Sequence, residues 1–377
     1  MSFRRTRAVL HKELLHIVRD PRSLIMALAV PLLMLVLFGY ALTLDVDRIP
    51  TLIYDSDRTP ESRDLIAQFS GSRFFHILGH VDDYRAIERA IDRSQCLLGV
   101  VIQRNFARDL LAGRAAQVQL LFDGSDSNTA SIAKGYADAM LQTYALNIRS
   151  QAMVRRGGAR LDPPVDARLR VLYNSELKSR NYIVPGLISV ILAIITALIT
   201  SLTIAREWEM GTMEQLLSTP LRPSELVLGK MGAFFLVGFF DTLVSIAVGV
   251  LLFRVPLRGN PLLLVVTSCL FLIGSLCLGI LISALARSQV LAYQMGMLAS
   301  FLPAFLLSGF VYSIENMPAA IQAVTYVVPA RYFVSILKGV FLKGTGIRVL
   351  WVEVLFLTLF AAIVFLIATK KLRQKVA

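Results

Sequence analysis

The chain has 377 residues, of which 55% are hydrophobic and only 17% are charged, and its mean hydropathy is +0.63. Soluble domains carry about 25% charged residues, so this composition excludes an ordinary soluble protein and indicates a membrane protein. The net charge of +13 does not indicate nucleic-acid binding, because much of the excess flanks hydrophobic runs, where it sets topology and attracts anionic lipid.

Residues 1–22 predict a basic amphipathic helix that lies in the cytoplasmic membrane interface. In "FRRTRAVLHKELLHIVRD" the apolar side chains share one helical face, and basic ones lie off it. The predicted apolar face consists of Phe3, Leu10, Leu14 and Ile17. Pro21 ends the pattern, because proline interrupts a helix that reaches it from the N-terminal side.

Six apolar runs are suited to crossing a membrane, since about 20 helical residues span the hydrocarbon core. The predicted spans are 23–44, 181–205, 231–253, 259–286, 288–314 and 349–369. The first starts too late and is too long for a cleavable signal peptide. Lys and Arg cluster before the first span and in the tail 370–377. Both termini are therefore predicted to be cytoplasmic, which agrees with an even number of spans.

This orientation places the long segment 45–180 outside the cytoplasm, and its pattern predicts an α/β domain. Short apolar runs ("RIPTLIYD", "CLLGVVI", "VQLLFDG") read as strands. Helical patterns lie between them, and Thr59 with Pro60 marks a helix start. A longer helix follows "DGSDSN", and "LRVLYN" is a candidate last strand.

No active site is apparent in this segment. "DGSDSN" lacks the remaining ligands of a calcium loop, so a turn and helix cap is the favoured interpretation. His76 and His80 have no third metal ligand nearby and are expected at the surface. Cys96 is the one cysteine of the segment, which leaves it without a disulfide partner there.

The polar segment 206–230 is predicted to be a cytoplasmic loop that contains a short amphipathic helix. Thr212 and Gln215 fit a capping box, Pro220 ends the helix, and Pro223 begins the next one. Such a helix cannot bury its apolar side alone. Because Glu207, Glu209 and Glu214 are expected to face the cytosol, a protein partner is favoured over anionic lipid.

The stretch "AREWEMGTMEQLLSTPLRPSELVLGK" resembles the cytoplasmic loop of ABC-2 type transporter permeases. "NYIVPGLI" at the second span and "SGFVYSIENMP…VVPARYF" after the fifth also fit that family, and the resemblance covers essentially the whole chain. It implies a polytopic α-helical membrane protein of the ABC-2 exporter fold, with six transmembrane helices and an inserted extracytoplasmic α/β domain. The chain is most similar to multidrug-efflux permeases of the bacterial inner membrane. Tyr312-Ser313 departs from the aromatic-Pro pair of many relatives.

The resemblance also implies that 206–220 contains a coupling helix, which docks in a groove of a separate ABC ATP-binding subunit. The expected coupling residues are Glu207, Gly211, Thr212, Glu214, Leu217 and Pro220. An alternative is that Gly211, Thr212 and Pro220 only shape the turn, and the two roles are compatible. The sequence has no phosphate-loop motif. It is therefore expected to be no enzyme by itself and to bind no cofactor, with ATP and Mg used by the partner.

Candidates for the transport path come from the later spans. Asp241 lies inside an apolar span and should face protein or water, either in the path or in a hydrogen bond to a Ser or Thr of another helix. Pro185 and Pro303 are expected to bend spans that line the route in the family. Residues 315–348 are predicted to form re-entrant outer helices. There Arg331 lies at an interface, and Glu315 acts as a gate or a helix cap.

One such permease forms half of a pathway, so a second permease is expected, either an identical copy or a paralogue. A periplasmic membrane-fusion adaptor is a further expected partner, besides the lipid bilayer, and no nucleic acid is expected. The leading hypothesis is efflux of drugs or other amphipathic small molecules. Export of ions or lipid-linked cargo is one alternative. A membrane-anchored sensor or scaffold is another, but it would require a cytoplasmic signalling domain.

Overall fold

The computed structural model describes residues 2–42, 48–155, 172–174, 178–286 and 288–376. The chain forms two compact units, one of Met1–Thr43 with Arg170–Ala377 and the other of Leu44–Leu169. The second unit is shorter than the predicted domain 45–180, because its last residues group with the helical unit.

Two helices precede the α/β unit, α1 (Phe3–Arg19) and α2 (Pro21–Ala41). The predicted apolar face of α1 is only partly right. The buried side chains are Val9, Glu13 and Ile17, whereas Phe3 is 82% exposed. Positions four apart lie on one face of a helix, so the buried stripe is rotated from the expected one and has an acid at its centre.

The α/β unit contains four strands and four helices in alternation. They are β1 (Ile49–Asp55), α3 (Pro60–Gly71), β2 (Phe75–His80), α4 (Tyr84–Asp92), β3 (Leu98–Ile102), α5 (Phe106–Leu111), β4 (Val118–Phe122) and α6 (Ser127–Arg155). The sheet order is β2-β1-β3-β4, in which β1 is parallel to both neighbours and β4 is antiparallel to β3. The alternation inferred from the sequence is confirmed. Of "LRVLYN", residues 169–171 lie outside the described residues, and 172–174 form no strand.

Local predictions in this unit also agree with the structure. The Thr59 hydroxyl accepts a hydrogen bond from the Ser62 amide and caps α3. In "DGSDSN" the Ser125 amide donates to Asp123 Oδ1 at 3.0 Å, and the Thr129 amide donates to an oxygen of Asp126 at 3.3 Å. The segment is therefore a turn and helix cap, as expected from its composition.

The helices of the helical unit continue from Ser179. Its helices are α7 (Ser179–Glu209), α8 (Thr212–Leu217), α9 (Pro223–Leu251), α10 (Pro261–Leu285), α11 (Gln289–Leu306), α12 (Ala319–Thr325), α13 (Pro329–Lys338) and α14 (Ile347–Val376). A 3-10 turn covers Ile314–Asn316, and a π-helical turn covers Gly339–Lys343. Helix α7 packs against α2, α9, α10, α11 and α13 and forms the centre of this unit.

Within the described ranges, five helices are long and apolar enough to cross a membrane, namely α7, α9, α10, α11 and Ile347–Leu372 of α14. A sixth is added if α12 and Pro329–Lys343, which are bent by 82°, form one span. The predicted span 23–44 corresponds to α2, in which Ala27–Ala41 is a shorter apolar helix. The span 288–314 was predicted too long. Helix α11 ends at Leu306, and Gly309 then adopts a left-handed φ of 76°, which is incompatible with helix continuation.

Candidate functional site

The end of α7, the short helix α8 and the start of α9 form the candidate site. Helix α7 continues four residues beyond its predicted span, and Gly211 then turns the chain with φ 73°. Glycine adopts this left-handed conformation without the steric penalty of a Cβ atom. The predicted capping box is wrong, because Gly211 is the N-cap and Thr212 is the first helical residue. The Thr212 hydroxyl instead donates to the carboxylate of Glu207.

Four charged side chains from α1, α7 and α9 meet beside this turn, and we call Lys12, Glu13, Glu207 and Lys230 the charge cluster. Lys230 Nζ lies 2.7 Å from Glu13 Oε1 and 3.2 Å from Glu207 Oε1. Lys12 Nζ lies 2.6 Å from the same Glu207 oxygen. Glu207 is 9% exposed and Lys230 is 1% exposed. The expectation that Glu207 faces the cytosol is therefore wrong.

Three members of the cluster, Glu13, Glu207 and Lys230, are buried, and the balance of charges makes this possible. A buried ion is tolerated only when it is paired and hydrogen-bonded, and here two carboxylates meet two ammonium groups. Burial by itself would lower the pKa of Lys12, but the hydrogen bond to Glu207 and the charges of Glu13 and Glu207 outweigh it and raise that pKa. The cluster thus ties α1 to the end of α7 and to the start of α9.

A second set of polar contacts fixes the entry to α9. The carboxylate of Glu225 accepts hydrogen bonds from the Ser2 amide at 2.6 Å and from the Arg222 amide at 3.1 Å. Arg5 donates to the Pro220 carbonyl. The helix begins at Pro223, as its sequence predicts, and the first residues of α1 hold the loop that precedes it.

Helix α8 has one packed side and one free side. Met213 is 1% exposed and lies in a cluster with Ile204, Leu226 and Val227. The inference that α8 cannot bury its apolar side alone is therefore incorrect, because α7 and α9 of the same chain cover that side. Glu214, Gln215 and Pro220 are exposed, as is Met210 just before the turn. Leu217 ends α8, and its side chain lies outside the described part of the structure.

A cavity of about 330 Å³ opens beside the charge cluster. One part of its wall is charged and includes Arg206 as well as the cluster, and another part is apolar. The apolar part includes Ile199, Leu202 and Phe234. A wall of this kind suits a molecule that has both a polar and an apolar end.

Asp241 lies in the interior of α9, where it is 3% exposed. Its Oδ1 is buried and has no hydrogen-bond partner among the residues described. A cavity of about 20 Å³, also lined by Thr196 and Phe234, adjoins it. Apart from Asp241 and Thr196, the residues that line this space are apolar or glycine.

The other predicted path residues lie in separate places. Pro185 is inside α7 and Pro303 is inside α11, two helices that pack together. Glu315 is exposed in the 3-10 turn. Arg331 donates to the Thr325 hydroxyl, and its guanidinium lies 4.0 Å from the centre of the Tyr326 ring, so it joins α12 to α13. Within the described ranges, no hydrogen bond or ion pair joins any two of these residues.

Sequence reasoning missed the structural roles of Glu13 and Lys230. Lys230 directly precedes the predicted span 231–253, a position that is typical of a charge flanking a membrane helix. Glu13 stands between Val9 and Ile17 in an i, i+4 series. An acid at the centre of such a stripe is a signal that a basic partner faces it, because an unpaired carboxylate would not be buried there.

Comparisons with known proteins agree with this architecture. A family model described as "ABC-2 family transporter protein" matches residues 21–370. The chain is 39% identical over 359 residues to "Probable multidrug ABC transporter permease YbhS" of Escherichia coli (strain K12), covering 95% of this chain and 93% of the relative. It is 32% identical over 352 residues to "Probable multidrug ABC transporter permease YbhR" of the same strain, covering 93% of each. "Linearmycin resistance permease protein LnrN" of Bacillus subtilis (strain 168) is 24% identical over 386 residues, covering 96% and 97%.

Proposed function

Because the chain belongs to the ABC-2 family of transporter proteins, and is a permease subunit of an ABC exporter, we propose that it forms the path for efflux of amphipathic small molecules, drugs among them. Energy comes from a separate ATP-binding subunit that docks on α8. This chain provides the transport path and the coupling helix α8, and the ATP-binding subunit hydrolyses ATP with Mg.

The observation that carries this proposal is the way α8 is held. The turn at Gly211, the buried Met213 and the bond from Thr212 to Glu207 attach α8 firmly to α7. Lys230 extends the attachment to α9. A push on the free side of α8 would therefore move the ends of two long apolar helices together, which is how closure of two ATPases would drive the change between inward and outward states.

The cavity beside the charge cluster supports an amphipathic cargo. Its charged wall and its apolar wall lie within one volume of about 330 Å³, which is in the range of small-molecule pockets. The names of the Escherichia coli and Bacillus subtilis relatives refer to multidrug transport and linearmycin resistance. By similarity, compounds of that kind are the first cargo to test.

The assembly proposed for the membrane contains two permeases. The bacterial inner membrane is the expected location, with both termini and α8 in the cytoplasm and the α/β unit outside. YbhS and YbhR are two different relatives of this chain in one organism, Escherichia coli (strain K12). Their co-occurrence supports a paralogue as the second permease, and a second copy of this chain is the alternative. A periplasmic adaptor would bind the α/β unit.

The docking of α8 is tested with substitutions on its free side. Glu214→Ala with Gln215→Ala removes exposed polar groups and leaves the packed Met213 in place. We expect the purified permease to keep its melting temperature, to lose most of the ATPase that co-purifies with it, and to lose drug efflux from cells. Glu207 is unsuitable for this test, because its removal would take one of two carboxylate partners from both Lys12 and Lys230.

The matched control is Glu88→Ala, an exposed glutamate on α4 of the α/β unit. It should leave ATPase association and efflux as in the parent chain. If the α8 variant retains both ATPase association and efflux, α8 is not the docking element. If association is kept and efflux alone is lost, α8 transmits force without providing the binding surface.

A further inference from the structure

A polar groove of about 230 Å³ lies at the end of the helical unit opposite α8. It is formed where α7 begins and where α9 ends and leads into α10. Helix α7 has 31 residues, so its two ends are separated by about 46 Å. The lining residues are Tyr173, Asn174, Lys178, Arg180, Asn181, Arg254, Pro256 and Arg258. Four of them are basic, and no acid occurs among the described residues that line the groove.

The backbone holds the two arginines of the α9–α10 connection in fixed positions. Arg254 has a left-handed φ of 53°, which is uncommon for a residue with a side chain. The next residue, Val255, is 1% exposed and donates to the Gly249 carbonyl at 3.1 Å. The Arg258 amide donates to the Phe341 carbonyl at 3.1 Å. The connection therefore presents both guanidinium groups from a fixed frame.

The opposite side of the groove is held by asparagines. The Asn174 side-chain amide donates to the Lys178 carbonyl at 3.0 Å, and the Asn181 side-chain amide donates to Asn174 Oδ1 at 2.9 Å. Asn181 is 8% exposed. These bonds fix the chain on both sides of Arg180. The entropic cost of ordering the groove when a ligand binds is therefore small.

Among the described residues that line the groove, no carboxylate pairs with Arg180, Arg254 or Arg258. The Nε of Arg180 is buried and has no hydrogen-bond partner in the described part of the chain. The three guanidinium groups that line one groove repel one another, and a bound anion would relieve that repulsion and satisfy Arg180. Guanidinium groups match the oxygens of a phosphate in pairs. The chemistry of the groove therefore points to a phosphate group.

The surroundings of the groove indicate a lipid as the source of that phosphate. Large apolar side chains at this end of α9 and α10 are exposed, with Leu251 at 77%, Leu252 at 47% and Leu262 at 68%. Acyl chains beside these leucines would bring a headgroup to the level of the groove. On the proposed orientation this end is extracytoplasmic, and short extracytoplasmic connections of membrane proteins are usually poor in Lys and Arg. Membrane topology therefore does not account for these arginines, whereas binding of an anion would.

We propose that this groove binds the phosphate headgroup of an anionic phospholipid, through Arg180, Arg254 and Arg258. The proposal depends neither on α8 nor on export, because it concerns lipid binding by the permease alone. Basic recesses between membrane helices are suited to such headgroups. A bound lipid would bridge α7 and the α9–α10 connection at the end that α8 does not reach.

The test uses the full-length permease purified in detergent and titrated with phosphatidylglycerol or phosphatidylcholine, with bound lipid counted by native mass spectrometry. We expect the parent chain to bind phosphatidylglycerol more tightly than phosphatidylcholine. Arg254→Gln with Arg258→Gln should weaken the tightest phosphatidylglycerol site about tenfold or more, which corresponds to about 1.4 kcal/mol. Arg254→Lys with Arg258→Lys should give an intermediate affinity, since lysine keeps the charge but loses the paired geometry.

The matched control is Lys343→Gln with Arg348→Gln, which removes the same charge near this end of the unit at exposed residues outside the groove. It should change the affinity less than twofold. Equal binding by the parent chain and the Arg→Gln pair would overturn the proposal, as would an equal loss in the control. If inorganic phosphate competes as well as the lipid at the same concentration, the lipid assignment is wrong. A melting curve shows whether each variant is folded. If the Arg→Gln pair does not fold, the lipid affinity of the Arg→Lys pair is compared with that of the parent chain.

Discussion

At the residue scale, Lys230 is the most deeply buried member of the charge cluster. Its ammonium group contacts Glu13 and Glu207 and is almost fully shielded from solvent. Removing one partner of a buried ion pair costs about 3–5 kcal/mol, because the remaining charge stays buried without compensation. Lys12 contacts the same Glu207 oxygen, but its side chain is 52% exposed, and exposed pairs contribute about 1 kcal/mol or less.

These two lysines therefore give an internally controlled prediction. Lys230→Met should lower the melting temperature of the purified permease strongly, and Lys12→Met should lower it slightly. Both changes remove an ammonium group from Glu207 and keep a long unbranched side chain, so burial is the main difference between them. Thermal denaturation of the two proteins in the same detergent measures it. A loss in Lys12→Met as large as in Lys230→Met would contradict this account of the cluster.

Glu207 and Asp241 are both buried acids, but their surroundings differ. Glu207 has two ammonium partners and accepts a hydrogen bond from a hydroxyl group. These contacts are sufficient to account for the burial of its carboxylate. Asp241 Oδ1 has no partner in the residues described. Of the two interpretations of Asp241, a place in the transport path or a hydrogen bond to a Ser or Thr of another helix, the second has no such bond at Oδ1 to support it, and the first stays a prediction.

At the scale of elements, the packing of α1 on α9 depends on a close approach at Gly229. A Cβ atom on Gly229 would lie 2.6 Å from Val9 Cβ and 3.1 Å from the Thr6 carbonyl oxygen. Gly229→Ala should therefore separate the two helices, lengthen the contact from Lys230 to Glu13 and destabilise the protein. Val9→Ala in the same chain removes Cγ1, at 2.7 Å, but keeps the closer Cβ, at 2.6 Å, so it should restore only a small part of the lost stability.

Gly135→Ala on α6 is the matched control, because it is also a glycine within a helix and no atom lies within 4 Å of the added Cβ. That change should be neutral or stabilising by about 1 kcal/mol, since alanine favours helix more than glycine does. Melting temperatures of the three variants and the parent chain decide the question. If Gly229→Ala is as stable as Gly135→Ala, α1 is not packed on α9 in this way.

At the scale of the whole molecule, the proposed topology makes an accessibility prediction. Glu88→Cys lies on the α/β unit and Glu214→Cys lies on the free side of α8, and both positions are exposed. In spheroplasts, a membrane-impermeant thiol reagent should label Cys at position 88 at once, and Cys at position 214 only after permeabilisation. The parent chain is the control for background labelling of the native cysteines Cys96, Cys269 and Cys277, of which Cys96 and Cys277 are buried. Labelling of position 214 in intact spheroplasts would contradict the proposed orientation.

The sequence predicted most of the elements but few of their contacts. Three strands of the α/β unit (β1, β3 and β4) and the start of α9 follow from local patterns of apolar residues, Pro and Thr, and the structure has them where expected. The candidate last strand is not confirmed, because 172–174 form none. The face of α1, the cap of α8 and the environment of Glu207 were predicted incorrectly. In each of these cases a residue distant in sequence decides the outcome, for example Lys230 for Glu13.

By itself the sequence determined that this is a helical, membrane-type chain of the ABC-2 family with strand–helix alternation between its first two apolar runs. Hydrophobic periodicity and motif spacing are local properties, and they can be read without knowing the fold. Only the tertiary structure showed that α8 packs on its own chain and that the four side chains of the charge cluster meet beside the turn that precedes it. It also showed that basic side chains line a groove at the other end of α7. The physical reason is that the energy of a charge depends on the groups that surround it in space, and helices from distant parts of the chain bring those groups together.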